Sequence, residues 1–169
     1  MAEAARVVDL GTGTGAIALA LSSENPDWLI TGLDKNVEAV VLAKDNAVMH
    51  KLERVNFIHS DWFSAVEHQQ FDLIVTNPPY IENNNHYLQQ GDVRFEPSSA
   101  LTSGSDGLDD IRLIISQSQH YLADKGWLVI EHGYQQHDQV TDILRSYGFK
   151  QIRSECDLNG LLRVSVGRK

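Results

Sequence analysis

Apolar runs rich in β-branched residues alternate along the chain with stretches whose apolar positions recur at helical spacing. The apolar runs predict seven strands, at residues 7–10, 28–33, 55–59, 71–76, 127–130, 151–155 and 162–166. The periodic stretches predict four helices, at residues 16–24, 36–50, 108–122 and 140–147. In the second of these helices, the pattern predicts one apolar face made of Val37, Val40, Val41, Ala47 and Val48.

The order of these elements predicts the class of fold. Strands that alternate with helices form a parallel sheet with helices on both faces. Only a short polar turn at residues 157–160 separates the last two strands, which is too short for a parallel crossover. We therefore expect an α/β domain whose seven-stranded sheet has five parallel strands followed by a terminal antiparallel hairpin.

One long stretch departs from this alternation. Residues 81–106 show no sustained period and are rich in Asn, Gln, Gly, Pro and Ser. A loop of this length inside a compact domain is usually either a functional lid or a disordered insertion. We expect a substrate lid, whose shortening would impair activity, whereas a solvated insertion would tolerate the same deletion.

The composition limits the class of protein. A length of 169 residues suits one domain with one core, which we assign to residues 1–169. The net charge is −9, from 14 Lys and Arg against 23 Asp and Glu, and nucleic-acid binding relies on basic side chains. We therefore expect no nucleic acid as main partner. The longest uninterrupted apolar run, residues 16–21, is too short to cross a membrane.

Cysteine and histidine usage adds two further expectations. Cys156 is the only cysteine, so no internal disulfide can form and a reducing compartment, the cytoplasm, is expected. The first residues do not show the pattern of an export signal. None of the seven histidines lies at a zinc-binding spacing, so we expect no metal site.

A glycine-rich turn, Asp9-Leu10-Gly11-Thr12-Gly13-Thr14-Gly15, joins the first strand to the first helix. Glycines let the chain turn sharply and let a ligand approach the backbone, while the following helix presents free N–H groups. The turn therefore indicates a nucleotide-like ligand. S-adenosylmethionine fits, but the spacing Gly11-x-Gly13-x-x-Ala16 also satisfies the dinucleotide pattern, and a tight turn needs no ligand at all.

Acidic and aromatic residues follow the next two predicted strands. Asp34 lies 23 residues after Gly11, where its carboxylate can accept hydrogen bonds from both hydroxyls of a ribose. That role suits either cofactor, and capping of the next helix is the structural alternative. Asp61 and Trp62 follow the third strand and could meet the edge and the face of an adenine, although Trp62 could equally be a core aromatic.

The tetrapeptide Asn77-Pro78-Pro79-Tyr80, which we call the hook, follows the fourth strand. Pro78 forces Asn77 into an extended conformation, and two prolines in series stiffen the turn. The side-chain oxygen of Asn77 and the carbonyl of Pro78 could then accept both hydrogens of one NH₂ group, while Tyr80 covers the flat group that carries it. A nitrogen held in this way presents its lone pair to an electrophilic methyl group, which favours S-adenosylmethionine over a dinucleotide. A stiff turn without a function is the alternative.

The chain resembles a class I S-adenosylmethionine-dependent methyltransferase, and more narrowly the HemK/PrmC family of protein-(glutamine) methyltransferases. The resemblance spans nearly the whole chain. The residues that carry it are Val8–Gly15, Asp34, Asp61-Trp62, Asn77–Tyr80, Gly91-Asp92-Val93-Arg94-Phe95-Glu96-Pro97, Ala100-Leu101 and Asp106-Gly107-Leu108. The hook alone is shared with adenine amino-methyltransferases, whereas the run at residues 91–97 is much more specific.

This resemblance implies a Rossmann-like class I methyltransferase fold. It also implies transfer of a methyl group from S-adenosyl-L-methionine, leaving S-adenosyl-L-homocysteine, to the glutamine amide in the Gly-Gly-Gln motif of bacterial peptide-chain release factors, which tunes translation termination. The implied cofactor-binding residues are Gly11, Thr12, Gly13, Thr14, Gly15, Asp34, Asp61, Trp62 and Asn77. The implied substrate-binding residues are Asn77, Pro78, Pro79 and Tyr80, and of these Asn77, Pro78 and Tyr80 would be catalytic. Arg94 and Glu96, in the lid, would shape the docking surface or form a structural salt bridge.

The resemblance also defines one departure and two alternatives. Members of the family carry a helical N-terminal domain, and only about five residues precede the first strand here. We therefore expect an isolated catalytic domain that docks the release factor less well. The alternative acceptor is an adenine amine in DNA or RNA, which the acidic charge, the lack of a separate target-reading domain and the run at residues 91–97 disfavour. A cofactor-binding module without catalysis, or with a dinucleotide, is the hypothesis from another class.

Overall fold

The computed structural model describes residues 4–83 and 100–169. The strands are β1 (Arg6–Leu10), β2 (Leu29–Asp34), β3 (Asn56–His59), β4 (Phe71–Thr76), β5 (Leu122–Glu131), β6 (Lys150–Cys156) and β7 (Leu162–Arg168). The helices are α1 (Ala16–Glu24), α2 (Val37–Met49), α3 (Asp109–Tyr121) and α4 (His137–Ser146), and a short 3-10 helix spans Ser64–Val66. Each strand and helix predicted from the sequence pattern is present. β5 differs most in extent, because it begins five residues earlier than predicted.

Within the described ranges, seven strands form one sheet in the order β3-β2-β1-β4-β5-β7-β6. The strands β1–β5 pair in parallel, and β7 pairs antiparallel with both β5 and β6. This arrangement confirms the predicted α/β fold with its terminal hairpin. Strand order reverses between β1 and β4, and in open α/β sheets ligands bind at such a reversal, beyond the carboxyl ends of the strands.

Helices cover both faces of the sheet. The helices α1 and α2 pack against β1, β2 and β3, while α3 and α4 pack on the other side against β5, β6 and β7. Successive strand residues point to opposite faces, so Val7 joins the core beneath α1 and α2, and Val8 joins the core that includes Ile111 of α3. β1 is therefore buried on both faces, which explains why apolar residues occupy neighbouring positions in it.

The buried face of α2 differs from the predicted one. Three of the predicted positions are more than half exposed, namely Val37, Val41 and Val48. The buried positions are Val40, Ala43 and Ala47. Small side chains lie at this contact because α2 approaches the glycine turn closely: a Cβ built on Gly15 would stand 3.2 Å from the Cβ of Ala43. The sequence pattern placed the valines on the buried face because valine is the more apolar residue. The close approach of α2 to the glycine turn instead favours the smaller alanine at the contact.

The predicted lid at residues 81–106 lies largely outside the described residues, as does the run at residues 91–97 with Arg94 and Glu96. Its two flanks are described and pair with each other. The N–H of Ile81 donates to the carbonyl of Leu101, and the N–H of Ser103 donates to the carbonyl of Ile81, both at 2.9 Å. The two ends of the segment therefore lie side by side, next to the hook.

Two absences apply to residues 4–83 and 100–169. No helix there has the length and apolar character that crossing a membrane requires. The same residues bring no three His, Cys, Asp or Glu side chains together as a group that could hold a metal ion.

Candidate functional site

A cavity of about 290 Å³ opens beyond the carboxyl ends of β1, β2 and β4, where strand order reverses. Its volume lies near the lower end of the range for small-molecule sites, roughly 300–1,000 Å³. Six residues predicted from sequence line it, namely Gly11, Gly13, Asp34, Trp62, Asn77 and Pro79. Five further lining residues were not predicted, namely Lys35, Asn36, Ser60, Ala100 and Asp110. The glycine turn, Asp34, Trp62 and the hook thus border one cavity.

The glycine turn adopts a backbone that favours glycine. Gly11, Gly13 and Gly15 have φ values of 67°, 55° and 82°, in the left-handed region. A Cβ on Gly15 would stand 2.9 Å from the ring of Phe57, so packing also requires glycine there. Around Gly13, by contrast, the described residues place no heavy atom within 4 Å of the position that a Cβ would take, its own and its chain neighbours' atoms aside. This open space is where a ligand can approach the backbone.

The other turn residues support the turn and do not line the cavity. Thr12 is buried, and its N–H donates to the carbonyl of Leu33 at 2.9 Å. Thr14 borders a separate groove between α1 and α2, and its carbonyl accepts a hydrogen bond from Nδ2 of Asn46 at 2.9 Å. Gly15 is the residue that precedes α1 as its N-cap.

Asp9 ties the two ends of the glycine turn together. Its side chain is buried, and Oδ2 accepts hydrogen bonds from the hydroxyl of Thr12 at 2.6 Å and from the N–H of Ala18 at 3.2 Å. Burial raises the pKa of the Asp9 carboxyl to about 7; the hydrogen bonds from Thr12 and Ala18 oppose this rise, and the nearby carboxylate of Asp34 adds to it. The other oxygen, Oδ1, is buried without a hydrogen-bond partner among the described residues. In the sequence, Asp9 stands out as an acidic residue that follows two valines in β1 and begins the glycine-rich turn.

Asp34 lies at the end of β2, as predicted, and lines the cavity. Its Oδ2 accepts a hydrogen bond from the N–H of Gly13, and its Oδ1 accepts one from the N–H of Asn36, both at 2.8 Å. The N-cap of α2 is Asn36, whose side-chain oxygen accepts from the N–H of Glu38 at 2.8 Å. Asp34 therefore braces both the glycine turn and the start of α2, while a different residue performs the capping.

Trp62 lines the cavity, and its neighbour Asp61 does not. The indole of Trp62 is the nearest group to Gly11, 3.6 Å from the position of a Cβ there, and it also packs against the core. Trp62 therefore both forms a wall of the cavity and packs against the core. Asp61 is exposed and borders a second groove, and its N–H donates to the hydroxyl oxygen of Ser64 at 3.1 Å.

The hook begins where β4 meets β1. The hydroxyl of Thr76, the last residue of β4, donates to the carbonyl of Leu10 at 2.8 Å and fixes this end of the strand. Asn77 is exposed and lines the cavity, whereas Pro78 is buried. Tyr80 is partly buried, and its hydroxyl donates to Oε1 of Glu131 at 3.3 Å. The hook therefore presents Asn77 to the cavity and has its far end anchored to β5.

The loop after β5 contacts the hook at its last residue, Tyr80. Nε2 of Gln136 donates to the carbonyl of Tyr80 at 3.0 Å and to the carbonyl of Asp106 at 3.1 Å. Oε1 of the same side chain accepts a hydrogen bond from the N–H of Gly133 at 2.8 Å. No sequence pattern singles out Gln136, because it is one glutamine among several polar residues between a strand and a helix.

The sequence of the chain is similar to those of known methyltransferases. Residues 1–98 match the family described as "Methyltransferase small domain". Two curated relatives, each named release factor glutamine methyltransferase, come from Pseudomonas aeruginosa and Shewanella oneidensis and are 51% and 47% identical over 167 and 164 residues. The alignments cover 99% and 97% of this chain but 60% and 57% of the relatives. The chain thus spans about three-fifths of the length of these relatives.

The fold is also found among solved structures. A methyltransferase from Pyrococcus furiosus superposes with a TM-score of 0.74 at 16% identity, over 98% of this chain and 75% of that chain. At such low identity the likeness extends to the fold alone. The glycine turn, Asp34 and the hook all lie within the 98 residues that match the family. The chain therefore belongs to the methyltransferase small domain family.

Proposed function

We propose that this chain transfers the methyl group of S-adenosyl-L-methionine to the side-chain amide nitrogen of the glutamine in the Gly-Gly-Gln motif of peptide-chain release factors. The observation that supports this function most strongly is that Asn77 lines the same cavity as Gly11, Gly13 and Asp34. A methyl donor at the glycine turn and an amide acceptor at the hook would then share one space. The names of the two relatives support the choice of acceptor.

The residues of the cavity fit the proposed cofactor. The open space at Gly13 admits a ligand to the backbone, Asp34 offers acceptors for ribose hydroxyls, and Trp62 offers a flat wall for adenine. Thr12, Thr14 and Gly15 would act through the turn, and Asp61 would have to reach the adenine edge from outside the cavity wall. When bound, S-adenosyl-L-methionine supplies an electrophilic methyl group on a sulfonium sulfur.

The hook would hold the acceptor amide. In this mechanism the side-chain oxygen of Asn77 and the carbonyl of Pro78 accept the two amide hydrogens, Pro79 keeps the turn stiff, and Tyr80 covers the flat carboxamide. The nitrogen lone pair is then directed out of the amide plane toward the donor. Orientation of this kind can supply on the order of 7–11 kcal/mol of the barrier, so no base is needed while the methyl group is transferred. The methylated, positively charged nitrogen would then release one of its hydrogens as a proton to water, which gives the neutral N-methyl amide.

The partners that we propose are bacterial release factors, with no nucleic-acid substrate. A net charge of −9 supports a protein acceptor over DNA or RNA. The hook would nonetheless accept the amine of adenine by the same two hydrogen bonds, so adenine is the alternative acceptor. We also propose a cytoplasmic location, where translation occurs and where the exposed thiol of Cys156 stays reduced.

Methyl-labelled S-adenosyl-L-methionine tests the reaction directly. The chain is incubated with a release factor, with the same factor carrying alanine in place of the motif glutamine, and with duplex DNA and RNA. We expect label in the first sample only, at the motif glutamine. Label in nucleic acid and none in the release factor would move the assignment to adenine, and no label in any sample would contradict methyl transfer by this chain.

A further inference from the structure

Three loops meet at one side-chain amide, that of Gln136. The first loop contains the hook, the second precedes α3, and the third follows β5. Gln136 belongs to the third loop, and its Nε2 donates to the carbonyls of Tyr80 in the first and Asp106 in the second. Its Oε1 accepts from the N–H of Gly133 within its own loop at 2.8 Å. Both ends of the amide are therefore engaged, and the side chain has a single orientation.

Packing around this amide is tight. Gly107 has a φ of 73°, and a Cβ there would stand 2.3 Å from the carbonyl oxygen of Tyr80 and 2.8 Å from Nε2 of Gln136. The two loops thus approach so closely that only glycine fits between them. In this contact, the carbonyl of Tyr80 accepts from Nε2 of Gln136 at 3.0 Å.

The phenol of Tyr80 is also hydrogen-bonded to the region around the end of β5. Its hydroxyl donates to Glu131, at the end of β5, five residues before Gln136. The strand end and the loop after it therefore hold Tyr80 at its ring and at its backbone. Among the described residues that line the cavity Gln136 is absent, so any effect on the reacting groups would pass through the loops that it contacts, of which the hook carries Asn77.

We infer that Gln136 is a positioning residue for methyl transfer: its amide sets the Tyr80 peptide and thereby the angle at which Asn77 and Pro78 present their oxygens to the acceptor. This inference rests on the proposed function, because the angle of the hook matters to a rate only when the hook holds a substrate nitrogen. Small displacements of a reacting group are costly, since about 1 Å can lower a rate roughly 100-fold.

Two substitutions separate this role from general stability. Gln136→Met keeps the size of the side chain and removes the hydrogen bonds to Tyr80 and Asp106. The matched control is Gln135→Met, one residue away, where the exposed side chain donates only to the hydroxyl of Tyr134 among the bonds that the structure describes. The measured quantities are the single-turnover rate at saturating cofactor and the Kd for S-adenosyl-L-homocysteine.

For Gln136→Met we expect a rate about 10- to 100-fold below wild type, with the Kd for S-adenosyl-L-homocysteine within about 2-fold of it. Gln135→Met should match wild type in both. Equal rates in the two variants would overturn the inference. So would a loss of cofactor affinity as large as the loss of rate, because that result would indicate general loosening of the domain.

Gln136→Glu adds a rescue by pH. The new side chain can still accept from Gly133, but as a carboxylate it faces the carbonyls of Tyr80 and Asp106 with no hydrogen to donate. Protonation of the new carboxyl group restores one hydrogen-bond donor. The ratio of the variant's rate to the wild-type rate should therefore rise several-fold as the pH is lowered from about 8.5 to about 6. Because Asp9 titrates in both proteins, dividing the variant's rate by the wild-type rate removes its effect from the comparison. A ratio that stays flat or falls would contradict a role for the donated hydrogen bond.

A measurement that needs no substrate keeps this inference separate from the proposed function. Amide hydrogen exchange at Ile81, whose N–H donates to Leu101, reports on the order of the segment that follows the hook. We expect faster exchange in Gln136→Met than in Gln135→Met. If the wild-type chain labels no release factor, the proposed function fails, and unchanged exchange at Ile81 would separately reject the positioning role.

Discussion

The buried carboxylate of Asp9 couples the glycine turn to pH. Its pKa in the folded chain is about 7, above the ordinary value of 3.8, because burial disfavours the charged form. The stabilisation that comes from the protonated group is therefore complete below about pH 4 and is lost as the pH rises through about 7. Above that pH the folded chain holds a buried charge beside a turn that lines the cavity.

The substitution Asp9→Asn removes this titration. The free energy of unfolding of the variant, relative to wild type, should increase between about pH 4 and about pH 7 and then level off, by at most about 4 kcal/mol. Urea denaturation of both proteins across this range measures it. A difference that is constant with pH would contradict the raised pKa.

Asn77 is exposed and lines the cavity, so its side chain can be removed without opening the core. Asn77→Ala should lower kcat by about 100-fold or more, because one of two groups that orient the acceptor is lost, while the melting temperature stays unchanged. Asn56→Ala, at an exposed asparagine where β3 begins, is the control and should keep its activity. Near-normal turnover in Asn77→Ala would remove the mechanism proposed for the hook.

Asp34 and Asp61 are both predicted to bind the cofactor, but only Asp34 lines the cavity. Hydrogen bonds to a charged group contribute about 1.5–3 kcal/mol each, so Asp34→Ala should raise the Kd for S-adenosyl-L-homocysteine about 100-fold or more. Calorimetry on Asp34→Ala and Asp61→Ala compares the two positions directly. A comparable loss in Asp61→Ala would bring that residue into the binding site.

Among the helices, α2 offers an internal comparison. Val40 is buried and Val41 is exposed, and the sequence pattern had placed both on one face. Val40→Ala should destabilise the domain by about 2 kcal/mol through lost burial and a cavity. Val41→Ala should leave stability unchanged or raise it by up to about 0.6 kcal/mol, because alanine has the higher helix propensity. Chemical denaturation measures the free energy of unfolding of both variants. Equal losses of stability would support the buried face that was predicted from the sequence.

For the molecule as a whole, ligand binding should appear as thermal stabilisation. At a concentration about 100 times its Kd, S-adenosyl-L-homocysteine should add about 2.7 kcal/mol, which raises the melting temperature by roughly 5–10 °C in a domain of this size. NAD at the same concentration should cause no shift. The opposite pattern would favour the dinucleotide reading that the glycine turn alone leaves open.

Local signals in the sequence were enough to predict the strands, the helices and the class of fold. β1 carries Val7, Val8 and Leu10 in one short stretch because a parallel strand is covered on both faces. The last two strands had to be antiparallel because residues 157–160 are too few for a crossover. The glycine turn and the hook could also be predicted from the sequence. Glycine frees the backbone and proline restricts it wherever either residue occurs. Such effects depend on the residue itself and its nearest neighbours in the chain.

The sequence by itself therefore determined the order of elements, the stiff and permissive turns and the residue types available for chemistry. Tertiary structure alone decided that Asp34, Trp62 and Asn77 share a cavity while Asp61 does not. It also decided the pKa of Asp9 and the contacts of Gln136. Burial and the distances between segments far apart in the chain produce these properties, because they arise only when α2, the hook and the loop after β5 pack against the sheet.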